Sequence, residues 1–362
     1  MMIITNAIQT AKRTISVAVL MALFVIIIIS GSLAGTDIIV NLTPPLTGYD
    51  STELEIQVQD RSDLNGPLLA NAFALANILG YPNGSATIGT FPHFEIGVSA
   101  GVGCTNMEYF DDTSDASNNG SFPMIIPNPV LHFGFGLIGG LDFIGKIFSF
   151  DSGMYTPSYE NDLATPEDYS LYSVGGRVRY NILPRFTIVP ALFSFGGVTI
   201  AAGGDAMIGK MKVHGEYETV YSNIEVTDGG TTYPLADVTF TGTYDAEISW
   251  KVISGTVTAI GYFEFLTIIN LYTGFGITLG TGFFKADFNG TGLLTTADVG
   301  FGTDVGDLIF TSSNKYKAHP FIPTYILGAE VSLFFIKAHV ETMVNLYTGK
   351  DVTALFGVRF EI

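Results

Sequence analysis

Beyond Phe91 the chain alternates apolar and polar residues with a period of two, the pattern of strands that show different faces to two environments. Phe94, Ile96, Val98, Ala100 and Val102 alternate with His93, Glu95, Gly97, Ser99, Gly101 and Gly103. Leu131, Phe133, Phe135 and Leu137 alternate with His132, Gly134 and Gly136; a tight turn at Gly139–Gly140 and a strand to about Phe150 follow. Tyr172, Val174, Val178 and Tyr180 stand opposite Ser173, Gly175, Arg177, Arg179 and Asn181. In "VTFTGTYDAEISW", Phe240, Tyr244, Ala246, Ile248 and Trp250 face away from Thr239, Thr241, Thr243, Asp245, Glu247 and Ser249. Tyr325 to Leu333 and Ile336 to Leu346 repeat the pattern, and the chain closes on Val352, Ala354, Phe356, Val358, Phe360 and Ile362.

Charges keep to one parity within each strand: Arg177 with Arg179, Asp245 with Glu247, Lys337 with His339 and Glu341, Arg359 with Glu361. A strand in a closed membrane barrel needs this. Both its edges are hydrogen-bonded, one face meets lipid and the other a polar lumen. A lysine or arginine on the lipid face would cost roughly 2–4 kcal/mol at mid-bilayer. The predicted lumen set is Glu95, Arg177, Arg179, Asp245, Glu247, Glu330, Lys337, His339, Glu341, Arg359 and Glu361. The opposing Tyr, Phe and Trp residues near strand ends fit an interfacial girdle.

The connections alternate in length. Turns at Gly139–Gly140, Leu183–Arg185 and Phe334 are short, whereas 105–127, 152–168, 202–236 and 289–319 read as long, polar, acidic loops. Short turns at one end and long loops at the other are the habit of outer-membrane barrels. The expected fold is all-β, a transmembrane antiparallel β-barrel of about 10–14 strands. The uncertainty in strand count lies in 201–222 and 251–288, where the alternation is ambiguous.

The N-terminal part reads differently. Residues 1–34 hold Lys12 and Arg13, then "ISVAVLMALFVIIII" and small residues at Ser32 and Ala34, the three parts of a cleaved export signal. The apolar run is short for a spanning helix of about 20 residues. Residues 35–62 read as an extended lead-in. "NGPLLANAFALANILG" predicts a short helix starting at Asn65 and stopping at Gly80, with Leu68, Leu69, Ala72, Phe73, Ala76 and Leu79 on one face. The predicted organisation is thus a signal (1–34), a lead-in with a helix packed on the sheet or lodged in the lumen (35–90), and a barrel (91–362).

Composition narrows the function. Charged residues make up 14% of the chain, well below the usual quarter, and the net charge is −18. The acidic balance argues against nucleic acid as a partner. The single cysteine, Cys104, allows no internal disulfide, and the five histidines form no close ligand pair, so neither metal nor cofactor is expected. His339 and Glu341 share a face and could couple a base to its orienter, but His339 lies nearer the middle of its strand than the mouth; no enzyme is expected. "GFGLIGG" and "GFGITLGTG" lack the strand–turn–helix setting of a phosphate loop. "NLYTG" occurs at Asn270–Gly274 and Asn345–Gly349, which two copies leave open between duplication and coincidence.

The terminal strand, with Phe356, Val358, Phe360 and Ile362, resembles the C-terminal strand of bacterial outer-membrane proteins, which the barrel-assembly machinery reads; here the last residue is Ile rather than the usual Phe. The architecture also resembles that of FadL-type transporters of hydrophobic compounds, whose N-terminal segment plugs the lumen, and equally a spirochaete-type barrel. The signal pattern of residues 1–34 implies Sec export; the resemblance implies an outer-membrane location, with outer-membrane lipid and the assembly machinery as partners. The expected function is passive passage or uptake of a small solute, hydrophobic if the FadL likeness holds; the alternative is a non-conducting structural or adhesive barrel acting through its acidic loops. Balanced charge in a barrel of about ten strands favours a lumen closed by ion pairs.

Overall fold

The computed structural model describes residues 37–42, 52–86, 88, 93–108, 121–151, 165–190, 192–228, 231–296, 304–349 and 351–362. The expected signal segment lies outside these residues. One helix, α1 (Thr52–Asn77), precedes the barrel strands. The strands are β1 (Asp37–Leu42), β2 (Phe94–Glu108), β3 (Ser121–Gly136), β4 (Leu141–Asp151), β5 (Thr165–Leu183), β6 (Phe186–Val189), β7 (Phe193–Asp228), β8 (Thr231–Phe265), β9 (Ile269–Thr296), β10 (Asp304–Lys317), β11 (Phe321–Leu333), β12 (Ile336–Asn345) and β13 (Val352–Glu361).

Strands pair in the order β2, β3, β4, β5, β7, β8, β9, β11, β12, β13 and back to β2, every pair antiparallel, so ten strands close a ring. The seam is β13 on β2, sealed at its end by reciprocal bonds between Phe94 and Ile362, each 2.9 Å. β10 runs ahead of β11 along the same side of β9, and β1 adds to β10 beyond the ring. Closure satisfies the backbone on every ring strand, which lipid requires.

The outward faces are apolar over a band. On β8 these positions are Ile253, Gly255, Val257, Ala259, Gly261, Phe263 and Phe265, without a charge. At about 3.3 Å per residue and a tilt near 40°, that run spans about 30 Å, close to a bilayer's apolar core. Val257 is 53% exposed and Phe275 63%, large apolar side chains turned away from the lumen. Tight turns join strands at one end. Gly139 (φ 78°) and Gly140 (φ 79°) occupy the left-handed region that glycine permits without penalty.

Two expectations change here. Residues 202–236 and 289–319 are mainly paired strand, because β7 and β8 run as one long hairpin from Phe193 to Phe265 and β9 continues to Thr296. The lead-in is not uniformly extended: β1 pairs with β10, and α1 begins at Thr52 and runs through Pro67. Asn65-Gly66-Pro67 reads locally as a helix start, but packing inside the barrel overrides that propensity. The two "NLYTG" segments are not equivalent: Asn270 lies at the turn end of β9, and Asn345 begins the turn after β12 at the opposite end.

Candidate functional site: a lumen filled by the N-terminal segment

Residues 65–88 descend through the ring from the loop end to the turn end. In the upper half they meet an apolar collar. Phe73 stacks on Trp250 (centroids 4.7 Å apart, planes at 24°) and on Phe284 (5.7 Å, 19°). Leu69, Leu75 and Leu79 are buried with Met207, Ile248, Ile326 and Leu355. Each such side chain contributes roughly 1.5–3 kcal/mol relative to a wet lumen. α1 passes close to β2 because small residues meet: a Cβ on Gly103 would lie 3.0 Å from the Ala72 carbonyl oxygen and 3.1 Å from the Ala76 Cβ.

At Asn77 the environment turns ionic. The helix tightens through i→i+3 bonds from Ile78 to Leu75 (3.2 Å) and Leu79 to Ala76 (3.3 Å), and Gly80 turns the chain with φ 99°. A helix C-terminus leaves carbonyls unpaired at the negative end of its dipole. Two lumen cations take them. Lys146 donates to the carbonyls of Asn77 and Leu79, the latter at 2.6 Å, and Arg177 donates to Ile78 at 2.9 Å. Asp205 balances both cations, 2.9 Å from Lys146 and 3.6 Å from Arg177. Tyr81 donates its hydroxyl to Asp205 at 2.7 Å, and its ring lies 3.9 Å from the Arg177 guanidinium.

Below this, the plug backbone is held by lumen side chains. Arg179 forks onto Asp142 (Nε 3.1 Å, Nη2 2.9 Å) and donates to the Ser85 carbonyl at 2.8 Å, while Asp142 accepts the Ile88 amide at 3.1 Å. Arg359 pairs with Glu330 at 2.8 Å and Glu95 at 3.4 Å; it also donates to the Pro82 carbonyl (3.2 Å) and the Ser85 hydroxyl (2.6 Å). Asn83 donates to Glu341 at 2.9 Å. Lys337 and Glu361 close the turn-side mouth with a 2.5 Å pair. His339 is buried with its ring 6.3 Å from that of His132, which lies 3.3 Å from the Ser99 hydroxyl.

The structure therefore brings Glu95, Arg177, Arg179, Glu330, Lys337, His339, Glu341, Arg359 and Glu361 to the lumen side, most of them against the plug or one another. It does not do so for Asp245 and Glu247. These lie on the outer face of the barrel, Asp245 against His214 at 2.7 Å and Glu247 against Lys210 at 2.9 Å. Their strand neighbours Tyr244, Ala246, Ile248 and Trp250, expected outside, are inside. The physical reason is height. Above the apolar band the outside is water and the inside is α1, so the polar face turns outward. Outward-facing Phe356, Val358, Phe360 and Ile362 lie on the seam strand and its end.

Sequence reasoning missed Asp142, Lys146, Asp205, His132 and Tyr81 as lumen groups. Asp142 and Lys146 share one parity in β4, a usable signal. Asp205 sits in an Ala/Gly-rich run where alternation is faint. Nothing local marks Tyr81.

Fold and lumen together define an outer-membrane-type β-barrel plugged by its own N-terminal segment. The chain belongs to the Lsa36-like family, whose model matches residues 47–361. No curated protein matches the sequence. Solved structures similar to the chain include the toluene transporter TbuX of Ralstonia pickettii (10% identity, 74% of this chain and 88% of that one, TM-score 0.23). A FadL homologue of Pseudomonas aeruginosa matches at 9% identity, 74% and 89% coverage and TM-score 0.23. The translocator domain of NalP from Neisseria meningitidis matches at 10% identity, 86% and 99% coverage and TM-score 0.29. At these scores none of them bears on function, and the fold rests on the strand pairing itself.

Proposed function

We propose that this protein is a closed, non-conducting, non-enzymatic barrel of the bacterial outer membrane, presenting its long strands, β1 and the start of α1 at the cell surface. The observation that carries this reading is the lumen: residues 65–86 and Ile88 run through it, packed above and held by ionic groups below. The short turns mark the periplasmic end, as in outer-membrane barrels generally. The plug enters from the opposite, loop end, so β1 and the start of α1 lie outside the cell. Export by the Sec route and insertion by the assembly machinery at the β13 seam belong to the same reading.

The test is conductance in a planar bilayer. The folded, inserted protein is expected to give no current steps, and a form lacking residues 52–88 is expected to give them. Steps from the intact protein overturn the closed reading.

A second reading, uptake of a small hydrophobic solute, is favoured by one observation. A groove of about 680 Å³ indents the outer wall across β2, β9, β11, β12 and β13, lined by Ala100, Leu327, Ala329, Val340, Ala354 and Phe356. A solute entering there would have to displace the plug. Faster toluene entry into proteoliposomes carrying the intact protein would favour uptake over closure.

A further inference from the structure

We propose that the outer wall of β7, β8, β9 and β10 carries a binding site for the phosphate-bearing headgroups of anionic outer-leaflet lipid. The inference rests on the outer-membrane reading above.

Six of the ten lysines in a chain of net charge −18 stand together on this wall: Lys210, Lys212, Lys251, Lys285, Lys315 and Lys317. Strand register sets them in rows. Lys210, Ser249, Lys285 and Lys315 are cross-strand neighbours on one level. One level lower stand Ile208, Lys251, Phe283 and Lys317. All face outward.

Height identifies the ligand. Below Lys251, the outward positions of β8 run from Ile253 to Phe265 without a charge. The lysines are thus the first charged groups above the apolar band, on the loop side. What touches that level in a membrane is the headgroup layer. Phe283 shares the lower row, and the Lys315 ammonium lies 4.1 Å from its ring centroid, a cation held over an interfacial aromatic.

The charges are not cancelled within the wall. Glu247 takes Lys210 and Lys212 (2.9 and 3.6 Å), and Asp287 takes Lys285 (2.5 Å), all at the upper edge. Lys251, Lys315 and Lys317 have no carboxylate partner among the described residues. Lys251 and Lys317 form the row nearest the lipid and Lys315 stands one row above them, all three ammonium groups without a carboxylate to compete with phosphate oxygens. Elsewhere an acidic protein repels anionic lipid; here it presents cations at the one depth where a phosphate lies.

The test uses the full protein folded in neutral detergent and exposed to equal amounts of didecanoyl phosphatidylglycerol and didecanoyl phosphatidylcholine, with bound lipid read by native mass spectrometry. The wild type is expected to retain the anionic lipid preferentially. The triple variant Lys251→Gln, Lys315→Gln, Lys317→Gln is expected to lose that preference by roughly tenfold or more. Arg185→Gln, at the turn end beside Glu264, is expected to keep it. Equal retention of both lipids by the wild type, an unchanged preference in the triple variant, or an equal loss in Arg185→Gln overturns the inference. A heat-modifiable folded band and spontaneous vesicle insertion are scored in parallel. Failure of these sinks the barrel reading and this inference with it; their success with no lipid preference sinks this inference alone.

Discussion

Lys146 donates to the carbonyl oxygen of Leu79 at 2.6 Å, joining a fully buried strand lysine to the end of a helix 67 residues earlier in the chain. That contact makes the lumen more than a neutralised interior. The charges of the barrel are used to hold a piece of backbone. Lys146→Met keeps most of the volume and removes the donors, leaving two helix carbonyls and part of Asp205 unpaired. A buried ionic partner removed in this way costs about 3–5 kcal/mol. We expect the heat-modifiable unfolding midpoint to fall clearly, with Lys146→Arg losing less. An unchanged midpoint would mean that the plug is held by its apolar half alone.

The only tryptophan reports on the collar. Phe73→Ala removes the ring stacked on Trp250 and opens a cavity, at a cost of roughly 3–5 kcal/mol. Trp250 emission should shift to longer wavelength as water reaches the indole. An emission maximum identical to wild type would place Trp250 away from the plug.

Gly103 tests the close approach of α1 to the wall. Valine there meets the Ala72 carbonyl and the Ala76 methyl, both part of a helix backbone or its first carbon, which cannot rotate aside. The ring hydrogen bonds of β2 are unaffected, so Gly103→Val should still give a folded barrel, but one that conducts intermittently. A silent Gly103→Val barrel of wild-type stability would show that α1 tolerates a shift.

Alkaline pH gives a signed prediction. Tyr169 lies above the apolar band with its ring 6.4 Å from Trp250, and burial pushes its phenol up to about 12. A phenol that is harder to ionise when folded stabilises the fold below pH about 10, and that contribution is lost as pH rises towards 12. A phenolate so close should quench the indole. Trp250 fluorescence should therefore fall between pH 10 and 12 in the wild type and much less in Tyr169→Phe. Equal titration curves would remove Tyr169 from the account.

The reversed parity of β8 is checked by labelling. In a Cys104→Ser background, Asp245→Cys should react with a charged, membrane-impermeant maleimide on intact cells, and Arg177→Cys should not. Labelling of Arg177→Cys alone would restore the lumen to the upper part of β8 and displace α1.

The alternation by itself determined that the chain forms antiparallel strands, that their charges share a face, and that a closed ring was the economical way to use them. For Arg177, Arg179, Arg359 and Glu95 it also determined which face, because within the apolar band lipid leaves only the inside for charge. Period two says that two faces differ. It does not say which is inside. Above the band, water takes over outside and α1 fills the interior, so Asp245 and Glu247 turn outward while Trp250 turns in. Only the tertiary structure decided that exchange, since it depends on height along the barrel, which strand register sets and local pattern does not record. It likewise decided the roles of Tyr81, Asn83 and Ser85. Their partners Asp205, Glu341 and Arg359 lie 124 to 274 residues away, and no local rule connects positions that meet only because the ring closes around them.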